Sequence, residues 1–383
     1  MSENKAIKDP SQETWYVEKY ALENNDIGWY QVGDLKEGEQ QSLVYYLLNN
    51  FYGMAEENTL SEIILHRPSL LDFYRKDLLS DLEIIEEISG TNMDNWWNLA
   101  RNATNEEVDI ILTHYADAPE EVIRLLFGAD TPYALEKLAE LARDSGDVIE
   151  MARELHMILH EDGSFERRYL KEEYDLFKAK SDSGPLPEGI NLLTNSETAV
   201  RDGKVATCSN KIQSLLTCDY TKLAPFKGTV LEKIGSYHFF SSNCESCDTW
   251  LNNNAFKIVP EQPWEFIGTY RTYDEPGLET DMDEEEADCH PESAEPLDDD
   301  QPEYLLYASN NVSKEGDKRI ATLGGRPYWV QSPEIPDCPD CNKMMFYVGQ
   351  NQASQWSGRI GDQVVFGFAC EDCMLAVQIM QCT

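Results

Sequence analysis

Basic residues are scarce in this chain of 383 residues, which carries 31 Lys and Arg against 71 Asp and Glu. Contacts to nucleic-acid phosphates need clusters of Lys and Arg, so the formal net charge of −40 argues against direct nucleic-acid binding. The same charge suits a protein whose partner is a basic protein, because opposite charges steer association. The alternative is that the acidity only keeps the protein soluble.

Long apolar runs are missing as well. No run of 18 apolar residues occurs, so the sequence predicts no membrane span and no membrane partner. The polar start, MSENKAIKDPSQETW, lacks the apolar core of a secretory signal, so we expect a cytoplasmic location. In a reducing cytoplasm the ten cysteines indicate metal ligands rather than disulfides.

Motifs of catalysis are absent too. The sequence contains no Gly-rich phosphate loop, no nucleophile elbow and no His-Glu-x-x-His motif. After the N-terminal region only His238 and His290 remain, which leaves little for a Cys-His or Ser-His dyad. We therefore expect a non-enzymatic protein with no catalytic residues.

Two Cys-x-x-Cys pairs stand near the C-terminal end, Cys338/Cys341 and Cys370/Cys373, with 28 residues between them. Each pair can present two thiolates to one metal ion, and two pairs complete a tetrahedral shell of four sulfurs for zinc. Such a shell is closed to water, so the expected zinc is structural rather than catalytic. The alternative is that one pair serves as a redox dithiol of a thiol–disulfide enzyme.

A weaker copy of this pattern lies upstream. The segment Tyr237–Cys247 parallels Val364–Cys373, and Cys208-Ser-Asn-Lys stands where Cys338-Pro-Asp-Cys does in the C-terminal copy. If the copies correspond, a lysine has replaced one ligand, and three cysteines remain for a second zinc: Cys208, Cys244 and Cys247.

The fourth ligand of that second site stays open. Candidates are Cys218, His238 and Cys289, and the alternative is that this half holds no metal.

The domain organisation expected from these patterns is α+β and multidomain, with an α-helical repeat-like array before a duplicated β-rich zinc-binding domain. The array covers residues 1–180, where short helices recur with turn signals; Thr104 and Glu107 have capping-box spacing. An ordinary helical bundle is the alternative. The longest helix is predicted over Asp147–His160, with His156 and His160 as ordinary histidines at its end.

The rest of the chain is expected to alternate between β-rich halves and polar connections. Residues 181–190 form a linker rich in Ser, Gly and Pro. Residues 191–272 form the first β-rich half, and residues 304–383 the second. Between them, residues 273–303 carry 15 Asp and Glu and no Lys or Arg, which predicts a disordered acidic loop. It is either a solvated insertion or a polyanion mimic for a basic groove.

The C-terminal residues also resemble a known family. The run GGRPYWVQ at Gly324–Gln331, the Pro336-x-Cys-Pro-x-Cys motif, and Met345–Gln350 before the second cysteine pair resemble the TYPP-type domain. This superfamily groups programmed cell death protein 2 and its ribosomal-protein chaperone relatives with bacterial proteins, some of them regarded as immunity proteins that neutralise toxins. The resemblance covers Thr322–Cys382, and the helical array looks like leucine-rich-repeat-variant or HEAT-like repeats.

The resemblance implies a protein that works by binding another protein. The first hypothesis is neutralisation of a toxin, and the alternative is a chaperone for a basic client such as a ribosomal protein. Tyr328 and Trp329 are candidate interface residues, or else core residues beside the cysteine site.

Overall fold

The computed structural model describes the chain in a series of segments. These are residues 43–44, 47–48, 60, 63–64, 68–89, 96–143, 145–178, 188–194, 200–201, 214–240, 243–244, 249–250, 253–259, 264–271, 277–279, 304–308, 318–352 and 363–382. The chain divides into two compact units, Met1–Glu166 with Asn310–Glu315 and Arg167–Ser309 with Gly316–Thr383. One unit is mainly helical and the other mainly β, so the protein is α+β.

The structure gives the bounds of six α-helices in the helical unit. They are α1 Arg75–Leu79, α2 Leu82–Ser89, α3 Asn105–Thr113, α4 Pro119–Ala129, α5 Pro132–Leu141 and α6 Asp147–Glu154, with 3-10 turns at Pro68–Leu71 and Trp96–Ala100.

Local signals explain where these helices begin. Thr104 caps α3 in a capping box, in which its hydroxyl accepts from the Glu107 amide and the Glu107 carboxylate accepts from the Thr104 amide, as predicted. The helices α4 and α5 both begin with proline, whose missing N–H costs nothing in the first turn. Gly128 on α4 lets that helix approach the chain at Trp97, because a Cβ there would lie 2.0 Å from the Trp97 carbonyl oxygen.

The predicted helix over Asp147–His160 is wrong in its second half. Helix α6 ends at Glu154, and His156 adopts a left-handed φ of 60°. Strands β1 (Met157–Leu159) and β2 (Phe165–Arg167) follow and form a hairpin. The two histidines therefore share no helix face: His156 is buried, and His160 lies 3.0 Å from the Glu166 carboxylate.

The β-rich unit holds fifteen further strands and one short helix among its described residues. The strands are β3 Glu173–Lys178, β4 Ile190–Thr194, β5 Val200–Arg201, β6 Ser214–Asp219, β7 Ser236–Phe240, β8 Asn243–Cys244, β9 Thr249–Trp250, β10 Asn254–Lys257, β11 Trp264–Arg271, β12 Gly277–Glu279, β13 Tyr304–Ala308, β14 Lys318–Gly324, β15 Phe346–Gln352, β16 Gln363–Cys370 and β17 Leu375–Cys382; the helix is α7 Val230–Ile234, after a 3-10 turn at Ala224–Phe226.

A ten-stranded sheet dominates this unit, in the order β12-β11-β10-β17-β16-β15-β14-β3-β13, with β5 beside β11. A three-stranded sheet has the order β4-β6-β7, and β8 pairs with β9. The two β-rich halves expected from the sequence are joined in this one sheet, since β10 pairs with β17. Strand β3 lies between β13 and β14, although it precedes the expected linker at residues 181–190. Residues 277–279, expected in the disordered loop, form β12 against β11.

One face of the large sheet packs against the small sheet. The Tyr237 hydroxyl on β7 donates to the carbonyls of Phe368 and Val377. Gly367 makes this approach possible, because a Cβ there would lie 2.8 Å from the Tyr237 ring. The resulting core is rich in aromatic side chains, among them Phe239.

Residues 325–336 cross the opposite face of the large sheet. Trp329 stacks on Phe366 with ring centroids 4.6 Å apart. The Gln350 side chain accepts from the Tyr328 amide, and the Gln381 side chain accepts from the amides of Val330 and Gln331. Both Tyr328 and Trp329 are half-buried by this packing. The crossing segment leads directly into the first cysteine pair.

Candidate metal centre

The first cysteine pair lies in a tight hairpin between Asp337 and Met344, which form a β-bridge. Within it the Cys338 amide donates to the Lys343 carbonyl at 2.8 Å. Asn342, directly after the second cysteine of the pair, has a left-handed φ of 56°. Asparagine tolerates this conformation better than most residues, so it closes the turn at low cost.

The second cysteine pair lies at the tip of the β16–β17 hairpin. Cys370 is the last residue of β16 and pairs with Leu375, the first residue of β17. Met374, which again follows the second cysteine, has a left-handed φ of 53°. The two hairpins thus turn in the same way, and each turn directs both of its cysteines to one side.

The two hairpins bring four sulfur atoms together: Cys338, Cys341, Cys370 and Cys373 lie within 4.8 Å of one another. The sulfurs of Cys341 and Cys370 are 3.7 Å apart. A tetrahedral zinc with Zn–S bonds of about 2.3 Å requires sulfurs about 3.8 Å apart. The geometry is therefore compatible with a metal ion bound by these four thiolates, the set predicted from the sequence. All four are free cysteines.

The surroundings of the sulfurs are uneven. Cys338 and Cys370 are buried, whereas Cys341 and Cys373 are partly exposed. Burial raises the pKa of Cys338, although the amides of Cys341 and Asp340 hydrogen-bond its sulfur. Burial also raises the pKa of Cys373 to about 11. Protonated thiols of this kind are poor nucleophiles, and zinc binding would release their protons and engage the sulfurs as ligands.

One thiol of the cluster is favoured as a thiolate before any metal binds. Desolvation works against the charged form of Cys341, but the Lys343 amide and the neighbouring thiols outweigh it, and the pKa is lowered. Amide hydrogen bonds to sulfur also stabilise the charge that four thiolates bring to one cation.

The upstream candidates for a second zinc site stay a prediction, because their side chains fall outside what the structure describes. Cys208, Cys247 and Cys289 lie outside those residues, and of Cys244 only the backbone is described. Cys244 pairs with Thr249 across β8 and β9, the same interval that joins Cys370 to Leu375.

Two candidates for the fourth ligand have other roles in the fold. Cys218 is fully buried in the aromatic core of the small sheet, and burial raises its pKa. His238 is 2.8 Å from the Thr217 hydroxyl and stacks on Phe240. Burial lowers the pKa of His238 to about 4, so the imidazole is neutral at pH 7. Among the described residues, neither belongs to a group of three or more potential metal ligands.

A charged contact beside the second cysteine pair was not predicted. The Arg168 guanidinium makes two hydrogen bonds of 3.0 Å to the Glu371 carboxylate, inside the Cys370-Glu-Asp-Cys turn. Nearby, Lys343 and Asp372 form an exposed ion pair at 2.7 Å that joins the two hairpins. Glu371 and Asp372 in the turn indicate that basic side chains lie nearby, but no sequence pattern identifies Arg168 as one of them.

No family model matches this chain, and no curated protein or solved structure matches it either. Among the described residues, none of the helices has the length and apolar character needed to cross a bilayer.

Proposed function

We propose that this chain is a non-enzymatic, cytoplasmic immunity protein that neutralises a basic protein toxin by binding it, and that a structural zinc stabilises its β-rich unit. The observation that carries the structural part is the convergence of four cysteine sulfurs within 4.8 Å. Four thiolates leave no coordination position for water or substrate, so such a zinc supports folding rather than hydrolysis. The convergence of four thiols also favours a metal site over the thiol–disulfide enzyme, which would need only one cysteine pair.

The acidity of the helical unit supports a basic partner. Residues 68–166 contain 23 Asp and Glu against 7 Lys and Arg. Many of these carboxylates are exposed on α2 to α6, including those of Glu136 and Glu150. An exposed acidic surface raises the association rate with a cationic protein, and the effect weakens with salt. The family resemblance supplies both candidate partners, a toxin and the basic client of a chaperone.

Two features support the finer architecture. Helices α3 to α6 begin at nearly even intervals, at Asn105, Pro119, Pro132 and Asp147, which is consistent with a repeat-like array. The shared pairing interval at Cys244 and Cys370 is consistent with a duplicated zinc domain.

The test begins with affinity capture from the native host using the full chain loaded with zinc. Recovery of a basic protein with toxic activity that the chain inhibits at one-to-one stoichiometry supports the proposal. Recovery of a ribosomal protein supports the chaperone alternative. Turnover of a small substrate by sub-stoichiometric amounts of the chain contradicts both.

Association rates then test the role of charge. The double variant Glu136→Gln/Glu150→Gln is compared with Glu172→Gln/Glu265→Gln, which removes the same charge from exposed positions of the β-rich unit. We expect the first pair to slow association at low salt and the second to leave it nearly unchanged. Equal rates for both variants would show that the helical unit does not steer the partner.

A further inference from the structure

The segment that opens the β-rich unit is held by the second cysteine hairpin. Arg168, the second residue of this unit, is buried, and its guanidinium meets the Glu371 carboxylate in a two-point contact. Its Nε also donates to the Met344 carbonyl at 3.0 Å, just after the first cysteine hairpin. A single side chain therefore contacts both hairpins.

The backbone of the same segment is fixed at the same place. The Tyr347 amide donates to the Arg168 carbonyl at 2.7 Å, and Tyr169 forms a parallel bridge with Tyr347. Strand β14 pairs with β15 only over Ala321–Leu323, opposite Gly349–Asn351. Strand β14 does not pair with the start of β15, and residues 168–169 contact the start of β15 in its place.

We propose that Arg168 is a positioning residue that couples occupancy of the four-cysteine site to the anchoring of residues 167–170. This inference rests on the zinc site of the proposed function. A metal held by Cys370 and Cys373 fixes the turn between them, and so fixes the carboxylate of Glu371. That carboxylate holds the guanidinium in a buried position, where a two-point contact is stronger than an exposed ion pair. When the metal leaves, the turn loosens and the anchor of the segment loosens with it.

The coupling acts in both directions. Coupling free energies are reciprocal, so a segment that the metal stabilises must stabilise the bound metal by the same factor. Loss of an outer-shell partner lowers metal affinity by about 10-fold or more. We expect Arg168→Gln to lower zinc affinity by about 10-fold and to speed exchange at the Tyr347 amide by the same order. Arg168→Lys keeps the charge but not the two-point geometry, so its effect should be intermediate.

The matched control is Lys222→Gln. It also removes one cation from an ion pair of the β-rich unit, but the Lys222 side chain is 52% exposed, whereas the Arg168 side chain is 9% exposed. Lys222 lies in the connection between β6 and α7 and belongs to neither cysteine hairpin, so this variant should keep the zinc affinity and exchange of the wild type.

The experiment uses the full chain loaded with zinc. Zinc content is measured by elemental analysis, zinc affinity by competition with a chromogenic chelator, and exchange by hydrogen–deuterium exchange of the peptide containing Tyr347. A peptide from the middle of β16 reports whether the sheet stays folded. Faster Tyr347 exchange and weaker zinc binding in Arg168→Gln, with β16 protected and Lys222→Gln unchanged, support the coupling.

Two results would overturn it, and they are distinct. If Arg168→Gln binds zinc with the affinity of the wild type, or if its Tyr347 exchange is unchanged, the coupling is wrong while the zinc site stands. If the wild-type chain binds no zinc, the metal assignment in the proposed function fails, and the coupling fails with it.

Discussion

The four cysteines of the paired hairpins and the single Cys218 of the small sheet lie in one β-rich unit, yet their surroundings differ. The four converge at hairpin tips, with two of them partly exposed. Cys218 is fully buried among the side chains of the aromatic core, and its neighbour in the sheet is Tyr237. In this chain, cysteines presented by turns converge in a geometry compatible with metal binding, whereas Cys218 within a strand is an apolar core residue.

The largest expected difference is between Cys370→Ser and Cys218→Ser. Cys370→Ser should abolish stoichiometric zinc binding and destabilise the β-rich unit by several kcal/mol, since structural zinc contributes on the order of 10 kcal/mol. Cys218→Ser should keep the zinc and cost about 1–3 kcal/mol, because it buries a hydroxyl in an apolar site. Elemental analysis and denaturant titration measure both quantities. Equal zinc content in the two variants would contradict the assignment of Cys370 to the metal site and of Cys218 to the core.

A smaller effect is expected from His238, the other candidate ligand in the small sheet. Burial lowers its pKa to about 4, from an ordinary value of 6.5. Below pH 6.5 the unfolded chain binds a proton that the folded chain excludes, so stability falls as the pH drops and levels off below pH 4. The full loss is about 3 kcal/mol. His238→Gln should reduce this pH dependence in denaturant titrations and leave the zinc content unchanged.

The exposed His160→Gln serves as its control and should retain the wild-type slope. Loss of zinc in His238→Gln would instead make His238 a ligand and contradict its assignment to the core.

The smallest expected effect concerns the turn residue Asn342. Its left-handed φ suits glycine, so Asn342→Gly should be neutral or stabilise the protein by up to about 1 kcal/mol. Asn342→Val should destabilise it by about 1–2 kcal/mol, since a β-branched residue strains this conformation. Asp340→Val, at an exposed position one residue before Cys341 and without a left-handed φ, is the control. Thermal unfolding of the zinc-loaded chains compares them. Equal stability of both valine variants would show that the left-handed φ at residue 342 does not affect the free energy of unfolding.

The cysteine site could be predicted because its information is local. Each pair needs only a four-residue turn, and the apolar run Val364–Ala369 indicates the strand that leads into the second pair. The start of α3 was predictable for the same reason, from the Thr104 capping box. In the described residues the α+β class also follows from such local patterns.

The remaining features depend on contacts that no local pattern encodes. The sequence placed β3 among helices, because its role is set by partners on β13 and β14 far along the chain. The end of α6 was not predicted. The left-handed conformation that follows this helix falls on His156, and a histidine, unlike a glycine, does not indicate such a conformation in the sequence. Arg168 lies in a polar stretch whose charge pattern does not show that the guanidinium becomes buried.

The long-range strand pairs of the large sheet have a consequence for how the protein is made. The strands β3 and β10 are synthesised before their partners on β14 and β17, so these two pairings have high contact order. Topologies of this kind fold slowly and leave apolar strands exposed in the meantime. Other pairings close with little chain, as in the β10–β11 hairpin and in the β16–β17 hairpin with its cysteine pair. On a ribosome, β3 and β10 therefore wait for β14 and β17, and the proposed metal site is completed only at the same late stage, when Cys370 and Cys373 emerge.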